Sequence, residues 1–270
     1  MKGVALGLGS NWGARSIIQK ESVESSDRIN RVCKNVGMKK LGIVGGIGPE
    51  STIEYYRRLI ASYRQKNKNK DGSYPEIILN SVDLTEMLAL LSANQLPELK
   101  RFLLGHIGTL AHAGADFAVI AANSPHLVFD EVERASPIPL ISIVQAAADH
   151  AKHSGLHKLA LFGARFTMQA DFYPQVFSRY GISLALPTAE EQDYIHEKYF
   201  GELILGAVIP ETRRRLEAIV ESMKSRDGVD GLIIGGTELS LIFREPEVCG
   251  IPVLDTTQIH VEAAITRMLA

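Results

Sequence analysis

The stretch "DFAVIAANSPH" (residues 116–126) sets an acidic residue, a short apolar run and a polar turn in sequence. A run this short, bounded by turn residues, reads as a fully buried strand running into a loop. "DGLIIGGTEL" (residues 230–239) repeats the plan 114 residues later. On either side the echo continues. "KLGIVGG" (40–46) matches "KLALFGA" (158–164) at an offset of 118, and "IPLISIVQAAADHA" (138–151) matches "IPVLDTTQIHVEAA" (251–264) at 113. Three landmarks in one order at nearly constant spacing identify a tandem duplication.

The repeated unit is α/β. From Leu41 onward, short apolar runs alternate with helical segments, the pattern of parallel sheets covered by helices on both faces. "LGIVGG", "EIILNSVD", "FAVIAAN" and "PLISIV" are predicted strands of the first unit. Helices are predicted from Pro49 to about Gln65, over "LTEMLALL", over "LPELKRFLLGHIGTLAHAG" and over "LVFDEVERA". The expectation is two pseudo-symmetric doubly wound domains with a cleft between them. Residues 38–150 form the first, its C-terminal helix free to pack on the second, and residues 151–270 form the second. Residues 1–37, lacking sustained periodicity and rich in Ser, Asn and charge, read as a loosely attached extension. Met38, followed by two Lys and an apolar strand, reads as an alternative chain start. Open parallel sheets bind ligands at the carboxyl ends of their strands. Two such domains facing each other would bring both polar turns to one cleft.

Composition narrows the functional classes. The 270 residues are 46% hydrophobic, with a formal net charge of -2, so nothing favours nucleic acid or an anionic membrane surface. The basic run Arg213–Arg215 sits beside Glu211 and Glu217 and reads as a solvated helix face. Cys33 and Cys249, the two cysteines, have neither metal-ligand nor redox spacing. No apolar run approaches the ~20 residues of a membrane span, and a cytoplasmic location is the expectation. In "GGIGPES", Gly46, Gly48 and Ser51 have part of a dinucleotide fingerprint, but no acidic residue ends a second strand at the required distance.

Several stretches together resemble the aspartate/glutamate racemase superfamily: "GIVGGIGPESTIEYYRRL" (42–59), "AANSPH" (121–126), "FGARFTM" (162–168), "GGTEL" (235–239) and "IPVLDTTQIHVEAA" (251–264). The resemblance runs from Leu41 to the C-terminus. It implies amino-acid isomerisation without pyridoxal phosphate or any other cofactor, no metal, a small carboxylate as substrate, and a homodimer. Family members typically carry one cysteine before the Asn-Thr of the first turn and another in Gly-Cys-Thr-Glu. One thiolate takes the α-proton while the opposite thiol returns one on the other face. Here the two positions hold Ala122 and Gly236, so two-thiol racemisation is lost.

Carried onto this sequence, the resemblance leaves Gly46, Ile47, Asn123, Ser124, Thr167, Gly236 and Thr237 as expected substrate-binding positions. Glu238, His126 and Asp83 are the titratable residues nearest the strand ends and are the candidate acids or bases. Each also has a structural reading: His126 as a backbone hydrogen-bonding or capping residue, Asp83 as the N-cap of "LTEMLALL", and Glu238 as a carboxylate favoured by a helix dipole. Three functions stay open. The first is acid–base isomerisation, elimination or cyclisation of a small carboxylate without the thiol pair. The second is weak racemisation through another base, and the third is a catalytically silent small-acid binder.

Overall fold

The computed structural model describes residues 38–67 and 74–270, so the expected extension over residues 1–37, with Cys33, lies outside the described residues. The first half supplies strands β1 (Leu41–Gly45), β2 (Ile77–Ser81), β3 (Phe117–Ile120) and β4 (Leu140–Ile141). All pair in parallel, in the order β2-β1-β3-β4. The second half supplies β5 (Lys158–Phe162), β6 (Ser183–Ala185), β7 (Gly231–Ile234), β8 (Glu247–Val248) and β9 (Ile251–Asp255). Their order is β6-β5-β7-β9-β8. Without β8 the two orders are the same permutation, as a duplication requires. β8 joins β9 in an antiparallel hairpin across Cys249 and Gly250, both at positive φ. Two such residues make the tight turn whose twist matches paired strands.

The first half carries helices α1 (Pro49–Lys66), α2 (Leu84–Ser92), α3 (Leu96–His112), α4 (Phe129–Ala135) and α5 (Ile143–His153). The second carries α6 (Arg165–Met168), α7 (Phe172–Ser178), α8 (Ala189–Gly201), α9 (Pro210–Asp227) and α10 (Thr256–Leu269). Apolar spacing sets the buried faces. In α3, Leu99, Leu103, Ile107 and Leu110 are fully buried against Val44, Ala118 and Ile120 of the first sheet. In α9, Leu216, Ile219, Val220 and Met223 do the same under the second sheet.

Two expected elements differ. "PLISIV" is a strand only over Leu140–Ile141, because the Ser142 hydroxyl accepts from Gln145 N and starts α5 there. Ile143 and Val144 are buried as helix residues. "LVFDEVERA" becomes helical at Phe129, after a 3₁₀ turn over Ser124–Val128. α5 buries Ile143, Ala147 and Ala151 together with Leu159, Leu161 and Ile233 of the second half. α10, its repeat counterpart, packs against both α1 and α5. The halves are also held by an Arg58–Asp255 ion pair at 2.5 Å, in which Asp255 is the N-cap of α10.

Candidate functional site

The strands β1, β3, β5 and β7 end facing a small cavity of about 40 Å³ between the halves. β1 runs into the long helix α1 and the other three ends into a short helix or 3₁₀ turn, so the first N–H groups of each have no acceptor within their own turn. Five polar liners come from these turns: Asn123 and Ser124 after β3, Thr167 after β5, and Thr237 and Glu238 after β7. Ser124 Oγ and Thr167 Oγ1 are 3.2 Å apart, a hydrogen bond between the halves. Asn123 Oδ1 accepts from Tyr173 O–H at 2.7 Å, and its amide reaches Thr256 Oγ1 at 3.4 Å. The amide plane is therefore fixed from the second half.

Glu238 is 2% exposed. Its Oε2 accepts from the Tyr199 phenol and, at 2.8 Å, from Thr237 Oγ1. Its Oε1 packs so closely on Gly48 that a Cβ there would collide with it, and Gly48 also sits at φ 79. Only glycine combines that conformation with that space. Burial first, and the Glu238 charge second, push the Tyr199 phenol well above the usual tyrosine range. Tyr199 therefore remains a hydrogen-bond donor to the carboxylate. A Cβ placed on Gly236 would lie 2.5 Å from Tyr199 Cε2, so the ring occupies the room a side chain at 236 would need.

Of the residues expected from the sequence, Ile47, Asn123, Ser124, Thr167, Gly236, Thr237 and Glu238 line the cavity, with Ala122. Three expected residues do not. Asp83 is exposed, and its carboxylate accepts from Thr85 N at 2.8 Å as the N-cap of α2. Gly46 lies behind the wall at φ 82, where a Cβ would strike the backbone of Val82; its N–H is bonded to Thr52 Oγ1 at 2.8 Å. That bond closes the "GGIGPES" turn on itself, so this N–H is not presented to a phosphate.

His126 is buried behind the turn. Nδ1 lies 2.9 Å from Ala122 O, and Nε2 accepts from Ile143 N at 3.2 Å. These partners fix a neutral ring with the proton on Nδ1. Burial, then the neighbouring His260, lower its pKa to about 3. His260 is its edge-on neighbour, held between Tyr55 O–H and Ile141 O, with a pKa lowered to about 4 by burial.

Tyr199 is the site residue that sequence reading missed. Its signal was indirect: a glycine where the family resemblance implies a cysteine leaves room that a large neighbour can fill. Cys249 lies away from the cavity on the β8–β9 turn, where burial raises its thiol pKa. Among the described residues, no cluster of three His, Cys, Asp or Glu has metal-binding geometry. A larger groove of about 710 Å³ is open to solvent and lined by Arg58, Asp255 and Glu245. Its charges are largely paired: Arg58 with Glu54 and Asp255, and Glu245 with Arg213.

The fold and site define a class: duplicated parallel α/β proteins whose polar strand-end turns meet in one interdomain cleft. The chain belongs to the Asp/Glu/hydantoin racemase family, whose model matches residues 44–264. It is 23% identical over 238 residues to the broad specificity amino-acid racemase RacX of Bacillus subtilis, covering 85% of this chain and 98% of that protein. A structure of an aspartate racemase homologue from Pyrococcus horikoshii is 34% identical, with a TM-score of 0.74. The match covers 85% of this chain and 98% of that one. A Yersinia pestis protein described as a candidate Asp/Glu racemase is 32% identical, with a TM-score of 0.78 over 86% of this chain and all of that one.

Proposed function

We propose that this chain is a cofactor-independent enzyme that moves a proton on one face of a small carboxylate. The observation that carries the reading is the asymmetry of the cavity. Glu238 and Tyr199 lie on the wall beside Gly236, while Ile47, Ala122, Asn123 and Ser124 on the other carry no titratable side chain. In this reading the Ser124–Thr167 hydroxyl pair, with the turn N–H groups, holds the substrate carboxylate. Glu238 removes a proton from the adjacent carbon, and the negative charge passes into the carboxylate as an enediolate. Glu238 then returns the proton to the same face, at the same carbon or at one conjugated with it. Tyr199 and Thr237 keep donating to Glu238 and fix its position throughout. Such a site supports isomerisation, elimination or ring closure. Inversion at the α-carbon needs a donor on the opposite face.

The test is incubation of the protein with amino acids and simple carboxylates in heavy water, with chiral analysis of the product. The expected result is deuterium at the α-carbon with retained configuration, or a shifted double bond, lost by 10²-fold or more in Glu238→Gln. Deuterium with inversion would favour the second reading, a weak amino-acid racemase, which the racemase relatives support. Ligand binding without any exchange would favour a silent binder. The proposal includes a cytoplasmic homodimer. Ile53 and Tyr56 on α1, with Tyr74 and Leu79 at the β2 edge, are exposed apolar residues suited to a second copy. Light scattering reads the oligomeric state.

A further inference from the structure

We infer that the cavity selects monocarboxylates bearing an apolar substituent and rejects dicarboxylates such as aspartate and glutamate. The inference rests on the proposed use of this cavity as the substrate site. Opposite the polar turns, Leu84, Met87 and Leu88 of α2 meet Phe166, Phe200 and Ile204 from the second half. Met87 is fully buried, while the other five are half-buried, so they offer a substituent both contact area and room to shift. Among the described residues, no Lys, Arg or His lines the cavity.

The two basic residues adjacent in sequence to liners each hold a carboxylate of their own, although Arg165 Nε is buried without a partner. Arg165 holds Asp193 at 2.6 Å, and Lys198 holds Glu202 at 2.9 Å. A second carboxylate would thus enter a low-dielectric wall that carries no cation, in a cavity already lined by Glu238. Burying an unpaired anion is far costlier than burying a branched alkyl or phenyl group, which gains from leaving water. One carboxylate is served by the Ser124–Thr167 hydroxyl pair and the turn N–H groups; a second one has no counterpart. The cavity holds about 40 Å³, room for only a few waters. A ligand must therefore push the wall outward, and half-buried Phe200 on the last turn of α8 and Ile204 in the 3₁₀ turn after it are less tightly enclosed than Met87.

Binding to the full-length protein can be read without turnover. 4-Methylpentanoate and phenylacetate are compared with succinate and glutarate by ligand-observed NMR and thermal shift at matched ionic strength. The expected result is that the first pair binds at least about tenfold tighter. Phe166→Ala should weaken that pair, and Leu88→Arg should reverse the preference by supplying a cation. Equal or tighter binding of the dicarboxylates overturns the inference, and so does binding of none of the four. Arg165→Gln guards against a swinging side chain: dicarboxylate binding that this variant abolishes would assign the missing cation to Arg165 and overturn it. Failure of deuterium exchange leaves this selectivity intact, and failure of the selectivity leaves one-faced exchange intact.

Discussion

The ring of Tyr199 fills the space next to Gly236 that a side chain at position 236 would require, 2.5 Å from the ideal Cβ position. Its hydroxyl is spent on Glu238. The Tyr199 ring and the Glu238 carboxylate it bonds are thus packed as one unit against Gly236.

Gly236→Cys alone should therefore overpack the site rather than restore a thiol to working position. Overpacking costs roughly 1–3 kcal/mol, which lowers the melting temperature by about 2–4 °C per kcal/mol in a domain of this size. Tyr199→Ala opens a cavity and is destabilising by itself. Combined with Gly236→Cys it should cost less than the sum of the single changes, because the new side chain enters the vacated volume. A double-mutant cycle of thermal melts checks the coupling. With Ala122→Cys added, thiols face each other across the cleft, and racemisation in heavy water becomes the readout.

Tyr199→Phe keeps the ring and removes the donor, leaving Oε2 of a buried carboxylate with Thr237 as its remaining partner among the described residues. Losing a hydrogen bond to a charged group costs roughly 1.5–3 kcal/mol, visible as a drop of several degrees in thermal unfolding. Glu238→Gln should be milder, since an amide oxygen still accepts from Tyr199 and Thr237. The order of the two melting temperatures separates a carboxylate that needs Tyr199 from a tyrosine that merely fills space.

Tyr173→Phe should act at a distance. It deprives Asn123 Oδ1 of its 2.7 Å donor, leaving only the long Thr256 contact at 3.5 Å. The expected stability loss is about 1 kcal/mol, with weaker binding of the carboxylate probes because the Asn123 turn is no longer fixed. Comparison with Phe177, which packs beside Tyr173 in the same core, supplies the control. Phe177→Leu should cost stability without a selective loss of probe binding.

Much of this was legible because the duplication is written into short buried strands. β1, β3, β5 and β7 stand at nearly the same offsets as their sequence landmarks, and the turns that follow them carry most of the polar liners. The sequence misled where local and tertiary signals diverge. Ile143 and Val144 extend an apolar run like a strand, yet one serine hydroxyl starts a helix before them. Cys249 gives no hint of positive φ, so the β8–β9 hairpin was invisible. Tyr199 lies in an unremarkable helical segment, and only packing brings it against residues 236 and 238. Asp83 and His126 were near the strand ends in sequence, but backbone groups had first claim on their side chains: Thr85 N–H on Asp83, and Ala122 C=O and Ile143 N–H on His126.

The buried histidine pair makes stability depend on pH in a defined direction. His126 and His260 have folded pKa values of about 3 and about 4, below the ordinary 6.5. The unfolded chain therefore takes up protons first as pH falls. Their contribution is fully present above pH 6.5 and is lost between pH 6.5 and about 4 for His260 and about 3 for His126, at up to about 1.4 kcal/mol per pH unit for each ring. Thermal melts from pH 7.5 to 5 should show a decline of roughly 2 kcal/mol per histidine. His126→Gln forfeits the bonds to Ala122 and Ile143 and should melt lower at pH 7.5, but its decline toward pH 5 should be shallower. A slope as steep as wild type would show that His126 takes up no proton on unfolding, and the neutral, buried role assigned to it would be wrong.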